Sequence, residues 1–321
     1  QFARIAGVYS LSFITVVFIV WCVHQKVFLT IKKMVQAGSF LLVLWASSFL
    51  PYPFTDIASE KTAVAVVSTS FPVQELFDRE SIPDLKSMQQ ESLTAALETG
   101  VDYIIFPEDA RIFDQKSDIE KQKNIFNFLH SDTEAVIVDS GRITIGGAGV
   151  LQGFVFDTET NEHALVHKRY LVPQGEFVPY IYEGLFRLLG FNELMDSVTD
   201  LVSYQIGPDT NQSALEDVYP GLLFCFESAS ATGVKSLMTE RPDLPFIAHP
   251  VSHSWFNEPQ SFWTQLDSAL RVQAVWNQVA IVSAGNHAPS QMFLPNGTVV
   301  QPKQVASGEY WSVGVLGVPV R

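Results

Sequence analysis

The segment HKRYLVPQGEFVP, residues 167–179, carries a basic cluster and a single carboxylate on either side of a proline–glycine turn. Lys168 directly follows a predicted hairpin strand, and Glu176 lies eight residues further along the chain. Pro and Gly favour turns, so the strand is expected to end before them. Two interpretations of Lys168 are open: a functional ammonium group at a strand end, or part of a solvated basic cluster with His167 and Arg169.

Short apolar segments rich in β-branched residues flank this motif on both sides and predict the strands of a sheet. Helical sequence lies between several of them, at 83–99, 116–130 and 261–277. Apolar strands that alternate with helices are typical of a sheet covered on at least one face, and closely spaced strands at 143–167 predict antiparallel hairpins. We therefore expect residues 61–321 to form an α/β domain with a mixed sheet. The predicted strands are TAVAVVS (62–68), DYIIFP (102–107), EAVIVDS (134–140), ITIGGAGVLQGFVFDT (143–158), GLLFCF (221–226), PFIAHP (245–250) and QVAIVSA (278–284).

The composition excludes several classes of protein. With 321 residues and 47% hydrophobic content, the chain can bury a large core, which excludes disorder. Its net charge of -14 argues against binding nucleic acid, because a phosphate-binding surface needs clustered Lys and Arg. Cys22 and Cys225 are far apart and indicate neither a disulfide framework nor a zinc site. His249, His253 and His287 lack metal-ligand spacing, so we interpret them as loop or packing residues.

The amino-terminal part has a different character. Residues 5–23 contain no charged side chain and approach the ~20 apolar positions that a membrane-spanning helix needs. A second uncharged segment, 34–50, carries Trp45 and ends at the sequence PYPF (51–54). We predict two transmembrane helices within residues 1–55. The alternative is one spanning helix followed by a buried or interfacial one.

The charges between these two segments predict their orientation. His24, Lys26, Lys32 and Lys33 lie in the connecting turn without an acidic residue. Basic loops favour the cytoplasmic side, so we expect a cytoplasmic turn and an extracytoplasmic domain at 61–321. The chain begins with Gln and not Met, and we expect it to be part of a longer membrane protein.

Three residues at predicted strand ends form a set that suits acyl transfer. Glu108 follows DYIIFP, Lys168 follows a hairpin strand, and Cys225 ends the strand in GLLFCF. A carboxylate can accept the thiol proton, an ammonium group can stabilise an oxyanion, and a thiolate can attack a carbonyl carbon. Structural alternatives are a helix N-terminal carboxylate for Glu108 and a buried inert thiol for Cys225. A pair between the cysteine and one of the three histidines is also open.

The order of these motifs resembles that of the nitrilase superfamily and, within it, the apolipoprotein N-acyltransferases of bacterial inner membranes. HKRYLVPQGEFVP is the discriminating motif, because it is far longer than a chance match to a lone Glu or Cys. The resemblance covers roughly residues 62–300 and implies a four-layer αββα sandwich preceded by transmembrane helices, with the earliest helices and the last one missing from this chain. The motifs are PE (107–108), HKRYLVPQGEFVP (167–179), GLLFCFES (221–228), HSWF (253–256) and PNG (295–297).

The resemblance implies roles for individual residues. Glu108 corresponds to the general base, Lys168 to the group that stabilises the oxyanion, and Cys225 to the nucleophile. Supporting residues are Glu176, Glu227 and Trp255.

Three positions depart from the family pattern. Phe226 replaces a tyrosine beside the nucleophile, and Ser252 and His253 replace an asparagine and an aspartate near the site. The sequence leaves the effect of these changes open, as it does the activity of a truncated chain.

The implied reaction transfers a fatty acyl group from a phospholipid to the N-terminal amino group of a diacylglyceryl-cysteine lipoprotein, through a cysteine thioester. No cofactor is implied. The expected location is the bacterial inner membrane, in a multi-pass protein whose catalytic domain is extracytoplasmic. The alternatives are a membrane-tethered amidase that acts on a small amide and, second, a non-catalytic binding module.

Overall fold

The structure is a computed structural model that describes residues 8–24, 30–47, 60–71, 82–113, 123, 134–173, 175–201, 204–208, 219–230, 232–254 and 260–320. The predicted helix at 116–130 lies outside these residues except for Lys123, and Trp255 also lies outside them.

Two helices form the amino-terminal part, α1 (Val8–His24) and α2 (Ile31–Ser47), each 17 residues long. Phe18 of α1 stacks against Phe40 of α2 with ring centroids 5.2 Å apart. Helices are therefore found at both places where membrane spans were predicted. Within the described ranges, no helix combines the length and the apolar character needed to cross a membrane, so the structure does not show the two spans.

The rest of the described chain forms an α/β domain. Its strands are β1 (Lys61–Thr69), β2 (Tyr103–Ile105), β3 (Val136–Ile145), β4 (Ala148–Asp157), β5 (His163–His167), β6 (Gly221–Leu222), β7 (Ile247–Ser252), β8 (Ile281–Asn286), β9 (Gln291–Phe293), β10 (Val299–Val300), β11 (Lys303–Ser307) and β12 (Trp311–Pro319). Its helices are α3 (Ile82–Leu97), α4 (Tyr180–Leu188), α5 (Asn192–Leu201), α6 (Gly233–Glu240) and α7 (Gln260–Asn277).

The strands form one mixed sheet with the order β10-β9-β8-β1-β2-β3-β4-β5. β1, β2 and β3 are parallel, whereas β3, β4 and β5 form the predicted antiparallel hairpins. β12 pairs antiparallel with β1, on the edge of β1 opposite to β2. In the other half, β7 pairs with β8 and β6 pairs with β7. A single pair, Thr69 with Asn286, links β1 to β8, so the sheet consists of two halves joined at that point.

Alternate side chains of each half face different layers. In β1, Val64 and Val66 pack in a core shared with β6 to β9 of the other half, whereas Ala65 and Val67 pack against α3. Ile281 of β8 packs with residues of α6 and α7. This period of two buries both faces of each half-sheet. The layers follow as helix, half-sheet, half-sheet and helices, the predicted α/β sandwich.

Local sequence signals account for several boundaries. Asn296-Gly297, a strong hairpin signal, forms a turn between β9 and β10 in which Gly297 has φ 80° and the Asn296 side chain accepts a hydrogen bond from the Thr298 amide. The prediction of a strand at 221–226 was wrong at its end. β6 ends at Leu222, and a 3₁₀ turn begins at Cys225, because the Glu227 carboxylate accepts a hydrogen bond from the Phe224 amide.

A helical hairpin, formed by α4 and α5 and called here the α4–α5 hairpin, was not predicted. No residue of α4 is buried. Phe186 of α4 packs against Phe191, which directly precedes α5, with ring centroids 6.0 Å apart. The hairpin presents large apolar side chains to solvent, among them Tyr180, Ile181, Leu185, Leu188, Leu189 and Leu194.

Candidate active site

Lys168 lies immediately after β5 and is fully buried between two carboxylates. Its Nζ is 3.1 Å from Glu108 Oε1 and 2.8 Å from Glu176 Oε1. Burial alone would lower the pKa of Lys168, but the charges of Glu108 and Glu176 outweigh it and raise that pKa above its usual value. The side chain is therefore a permanent ammonium group. The alternative of a solvated basic cluster is wrong, since Lys168 is 1% exposed.

Glu108 reaches the ammonium group from the carboxyl end of β2, the middle strand of the parallel set β1, β2 and β3. Such strand ends are where polar side chains converge in α/β folds. Burial raises the pKa of Glu108, and the charge of Glu176 adds to this against the opposing effect of Lys168. A buried carboxylate with a raised pKa is a stronger proton acceptor than an exposed one.

Glu176 uses its two carboxylate oxygens for different partners. Oε1 binds Lys168, while Oε2 accepts a hydrogen bond from the Val172 amide at 2.8 Å. Its backbone carbonyl accepts a further bond from the Tyr204 amide. The turn between Lys168 and Glu176 is thus closed by the carboxylate itself, which explains the eight-residue spacing of the motif.

Cys225 is the first residue of the 3₁₀ turn Cys225–Ala229 and is buried, with φ at 43°. Its thiol donates to the Ser252 carbonyl over 3.9 Å. Burial raises the pKa of the Cys225 thiol, Glu108 raises it further, and Lys168 opposes them. The resting thiol is protonated at neutral pH and needs a base before it can attack a carbonyl.

Glu227 ties the lysine loop to the nucleophile turn. Its Oε1 accepts hydrogen bonds from the amides of Arg169 at 2.7 Å and Tyr170 at 3.1 Å, and its Oε2 accepts one from Phe224 at 2.7 Å. The side chain is 1% exposed. Three backbone donors on one carboxylate fix Arg169 and Phe224, the residues next to Lys168 and Cys225. Glu227 therefore fixes the position of the Lys168 loop relative to the Cys225 turn.

A second polar network supports the loop of Glu108. Asp109, with φ at 65°, donates its amide to Ser140 Oγ at 3.0 Å. Its carboxylate forms a two-point ion pair with Arg111 at 2.7 and 2.8 Å and lies 3.2 Å from Arg142. Sequence reasoning missed these residues, since a single Asp after PE carries no distinctive pattern.

Asp139 of β3 binds the end of the loop that carries Glu108. Its Oδ2 accepts a hydrogen bond from the Phe113 amide at 2.9 Å. The side chain is fully buried, and burial raises the pKa of Asp139 to about 7 against the lowering effect of its backbone hydrogen bonds. The described residues contain no group of three or more His, Cys, Asp or Glu side chains arranged to hold a metal ion.

One of the three histidines weighed as partners of the thiol contacts the backbone of Cys225. His249 of β7 bonds through Nε2 to the carbonyl oxygen of Cys225 at 3.0 Å and through Nδ1 to Ser283 Oγ at 3.0 Å. His287 bonds to the Phe71 carbonyl. His253 packs edge-on against Phe262, with ring centroids 5.0 Å apart.

Ser252, one of the three positions that depart from the family pattern, contacts the nucleophile, and His253 follows it in the chain. Ser252 presents its carbonyl to the thiol, and its hydroxyl bonds to Asn286 Nδ2 at 3.1 Å and Ser254 Oγ at 3.0 Å. Burial lowers the pKa of His253 to about 4, so its ring is neutral at physiological pH. A neutral imidazole therefore stands where the family pattern has an aspartate.

No family model matches the chain. The chain is similar to an apolipoprotein N-acyltransferase of Rickettsia prowazekii (strain Madrid E), with 26% identity over 312 residues. The match covers 92% of this chain and 58% of the relative, so the chain spans less than two thirds of that protein's length.

Solved structures share the fold at low identity. The chain resembles a carbon–nitrogen hydrolase from Helicobacter pylori G27 (TM-score 0.50, 11% identity, 80% of this chain and 89% of that one). It also resembles the CN-hydrolase superfamily protein XC1258 from Xanthomonas campestris (0.51, 13%, 81% and 91%) and the nitrilase superfamily member Nit3 of Saccharomyces cerevisiae (0.50, 15%, 82% and 92%). The nitrilase-like α/β fold and the resemblance predicted from the sequence are both confirmed.

Proposed function

We propose that this chain catalyses the transfer of a fatty acyl group from a phospholipid to the N-terminal amino group of a diacylglyceryl-cysteine lipoprotein. One observation carries the proposal: an ammonium group hydrogen-bonded to two carboxylates is buried, and Glu227 links its loop to the strained turn of a buried cysteine. The arrangement supplies a base, an oxyanion partner and a nucleophile. The similarity to an apolipoprotein N-acyltransferase supports the choice of substrates.

In the first half-reaction, Glu108 accepts the Cys225 proton as sulfur attacks the ester carbonyl carbon of the phospholipid. The ammonium group of Lys168 stabilises the oxyanion that forms. When this intermediate collapses, the carbon–oxygen bond of the ester breaks and the departing alkoxide takes the proton from Glu108. The products are a lysophospholipid and an acyl thioester on Cys225.

In the second half-reaction, the amino group of the lipoprotein attacks the thioester carbonyl carbon. Glu108 accepts a proton from the attacking nitrogen and returns it to the sulfur as the carbon–sulfur bond breaks. One carboxylate thus serves as base and as acid in both halves, which a raised pKa favours. Lys168 keeps its charge throughout, because its raised pKa excludes it as a proton donor at neutral pH.

The surface near the site favours a lipid substrate. The α4–α5 hairpin begins four residues after Glu176, and Tyr180, Ile181 and Leu188 are 87%, 83% and 83% exposed. Clustered apolar side chains of this size in water are costly and mark contacts with lipid or protein. We propose that the hairpin lies against the bilayer and brings the acyl donor to the loop that carries Glu176.

The amino-terminal helices fit the same location. Phe13, Val20 and Val23 of α1 are 68%, 60% and 68% exposed, which suits apolar surroundings. We propose that α1 and α2 anchor the chain in the bacterial inner membrane. The basic turn between them would be cytoplasmic and the domain from residue 61 extracytoplasmic.

The second candidate is an amidase. The three similar solved structures belong to the carbon–nitrogen hydrolase or nitrilase superfamily, and an amidase hydrolyses a carbon–nitrogen bond. A fold does not fix the substrate. The experiment that separates the two supplies a phospholipid with an isotope-labelled acyl chain together with a diacylglyceryl-cysteine peptide. The label is then followed into N-acyl peptide and free fatty acid.

Acyl transfer predicts label in the peptide, with Cys225→Ala inactive and Cys22→Ala fully active as the matched control. Label found solely as free fatty acid, or ammonia released from simple amides without any N-acyl peptide, would favour the hydrolase and contradict the proposal.

A further inference from the structure

We propose that His249, acting with Ser228, is a positioning residue that fixes the peptide unit of Cys225 and so aims its sulfur. The proposal rests on the proposed role of Cys225 as nucleophile. It assigns to His249 a role that the sequence did not indicate.

Two buried side chains converge on one carbonyl oxygen. The Cys225 carbonyl accepts hydrogen bonds from Ser228 Oγ at 2.8 Å and from His249 Nε2 at 3.0 Å. Both residues are 0% exposed. A carbonyl oxygen has two acceptor sites, so both are satisfied by side chains at this position. The peptide plane between Cys225 and Phe226 is therefore held from two directions.

The tautomer of His249 follows from its partners. A carbonyl oxygen can only accept, so Nε2 carries the proton and Nδ1 is free to accept from the hydroxyl of Ser283 at 3.0 Å. Burial lowers the pKa of His249 to about 4, so the ring is neutral above pH 5. His249 therefore acts as a fixed neutral donor. It does not exchange protons with the thiol.

The donor sits on a rigid support. His249 and Ser283 face each other as register partners in the parallel pair β7–β8, and every residue of both strands is buried. β7 also pairs with β6, the strand that leads to Cys225. The distance between the donor and the nucleophile turn is thus set by three hydrogen-bonded strands.

The two hydrogen bonds to the Cys225 carbonyl matter because Cys225 adopts a strained backbone conformation. A non-glycine residue with φ at 43° is strained and persists only where its surroundings enforce that conformation. Relaxation to negative φ would change the direction of the Cys225 side chain relative to the rest of the turn. Since a trans peptide points its N–H opposite to its carbonyl, the two hydrogen bonds to the Cys225 carbonyl also fix the direction of the Phe226 amide.

The test compares His249→Gln with His249→Asn. The amide nitrogen of Gln reaches the position of Nε2, whereas that of Asn ends near Nδ1, too far from the Cys225 carbonyl. The probe is p-nitrophenyl hexanoate, which acylates a nucleophilic thiol without needing a lipid site. Single-turnover acylation is measured by nitrophenolate release, the adduct is located by intact-protein mass, and thermal unfolding is recorded for each variant.

We expect His249→Gln to acylate within about 3-fold of the unchanged protein and His249→Asn to be about 10²-fold slower at saturating ester, with similar half-saturation, as misplacement of a reacting group predicts. Equal rates for the two variants would overturn the positioning role. If His249→Asn fails to fold, Ser283→Ala decides instead. This variant removes the hydroxyl that fixes the tautomer of His249 and should acylate more slowly. An unchanged acylation rate would overturn the proposal.

A different failure separates the two proposals. If the unchanged protein formed no adduct on Cys225, the nucleophile and the proposed function would both fall. If it formed the adduct and the variants matched it, the positioning role alone would fall.

Discussion

Replacing Lys168 by Met removes an ammonium group that is hydrogen-bonded to both site carboxylates and keeps the approximate length of the side chain. The ammonium group lies 3.1 Å from Glu108 and 2.8 Å from Glu176, and its loss leaves two buried carboxylates facing each other. Breaking a buried ion pair from one side costs about 3–5 kcal/mol of stability. Loss of one oxyanion partner lowers the rate about 10²–10³-fold.

The stability loss should depend on pH in a defined direction. Burial and the charge of Glu176 already raise the pKa of Glu108 above its unfolded value, and loss of the opposing ammonium group raises it further. A carboxyl group whose folded pKa is raised contributes stability below the unfolded pKa, and this contribution is lost as pH rises through the folded pKa. The deficit in free energy of unfolding of Lys168→Met should therefore be smaller at pH 5 than at pH 8.

The assay combines urea unfolding at both pH values with single-turnover acylation by p-nitrophenyl hexanoate at pH 7.5. Lys235→Met, an exposed lysine on α6, serves as the matched control and should change neither quantity. Near-full acylation by Lys168→Met would refute the oxyanion role. A deficit that is equal or larger at pH 5 would refute the reasoning about the paired carboxylates.

Three further predictions concern the surroundings of the site. Glu227→Gln should lower the acylation rate and cost about 1–3 kcal/mol in urea unfolding, because an amide cannot accept all three backbone donors; unchanged values would contradict its linking role. The stability of the unchanged protein should fall as pH rises from 4 to 7, because Asp139 ionises at lower pH in the unfolded chain than in the folded one. Thermal unfolding of Asp139→Asn should show a shallower fall, and parallel curves of stability against pH for the two proteins would exclude this cause. Ile181→Ser combined with Leu188→Ser should raise KM for phospholipid severalfold and leave acylation by the soluble ester unchanged, whereas an equal loss with both donors would contradict a lipid-contact role.

The sequence predicted the α/β class and the mixed sheet, because its apolar segments are long and regular. Alternation in TAVAVVS corresponds to two differently packed faces, as Val64 and Ala65 show. The α4–α5 hairpin escaped prediction, since Tyr180 and Ile181 are exposed apolar residues that resemble a buried strand in composition. Hydrophobic pattern predicts burial only where a protein core receives the side chain.

The candidate site was predictable where motif residues carry the chemistry. The structure brings together Glu108 and Lys168, which follow predicted strands, and Glu176, which the family resemblance implied as a supporting carboxylate. His249 was interpreted as a packing residue, because its contact with Cys225 depends on the parallel pairing of β6 and β7. Contacts set by strand register across distant segments leave no trace in the spacing of a single sequence.

The central claim is a thioester on Cys225, and intact-protein mass spectrometry tests it most directly. The full chain in detergent micelles is incubated with a phospholipid of defined acyl chain and without an acceptor. We expect a mass increase of one acyl group that maps to Cys225, is removed by neutral hydroxylamine, and is discharged by a diacylglyceryl-cysteine peptide. The same increase is expected for Cys22→Ser and not for Cys225→Ser. An unmodified protein, or an adduct that survives Cys225→Ser, would contradict the account.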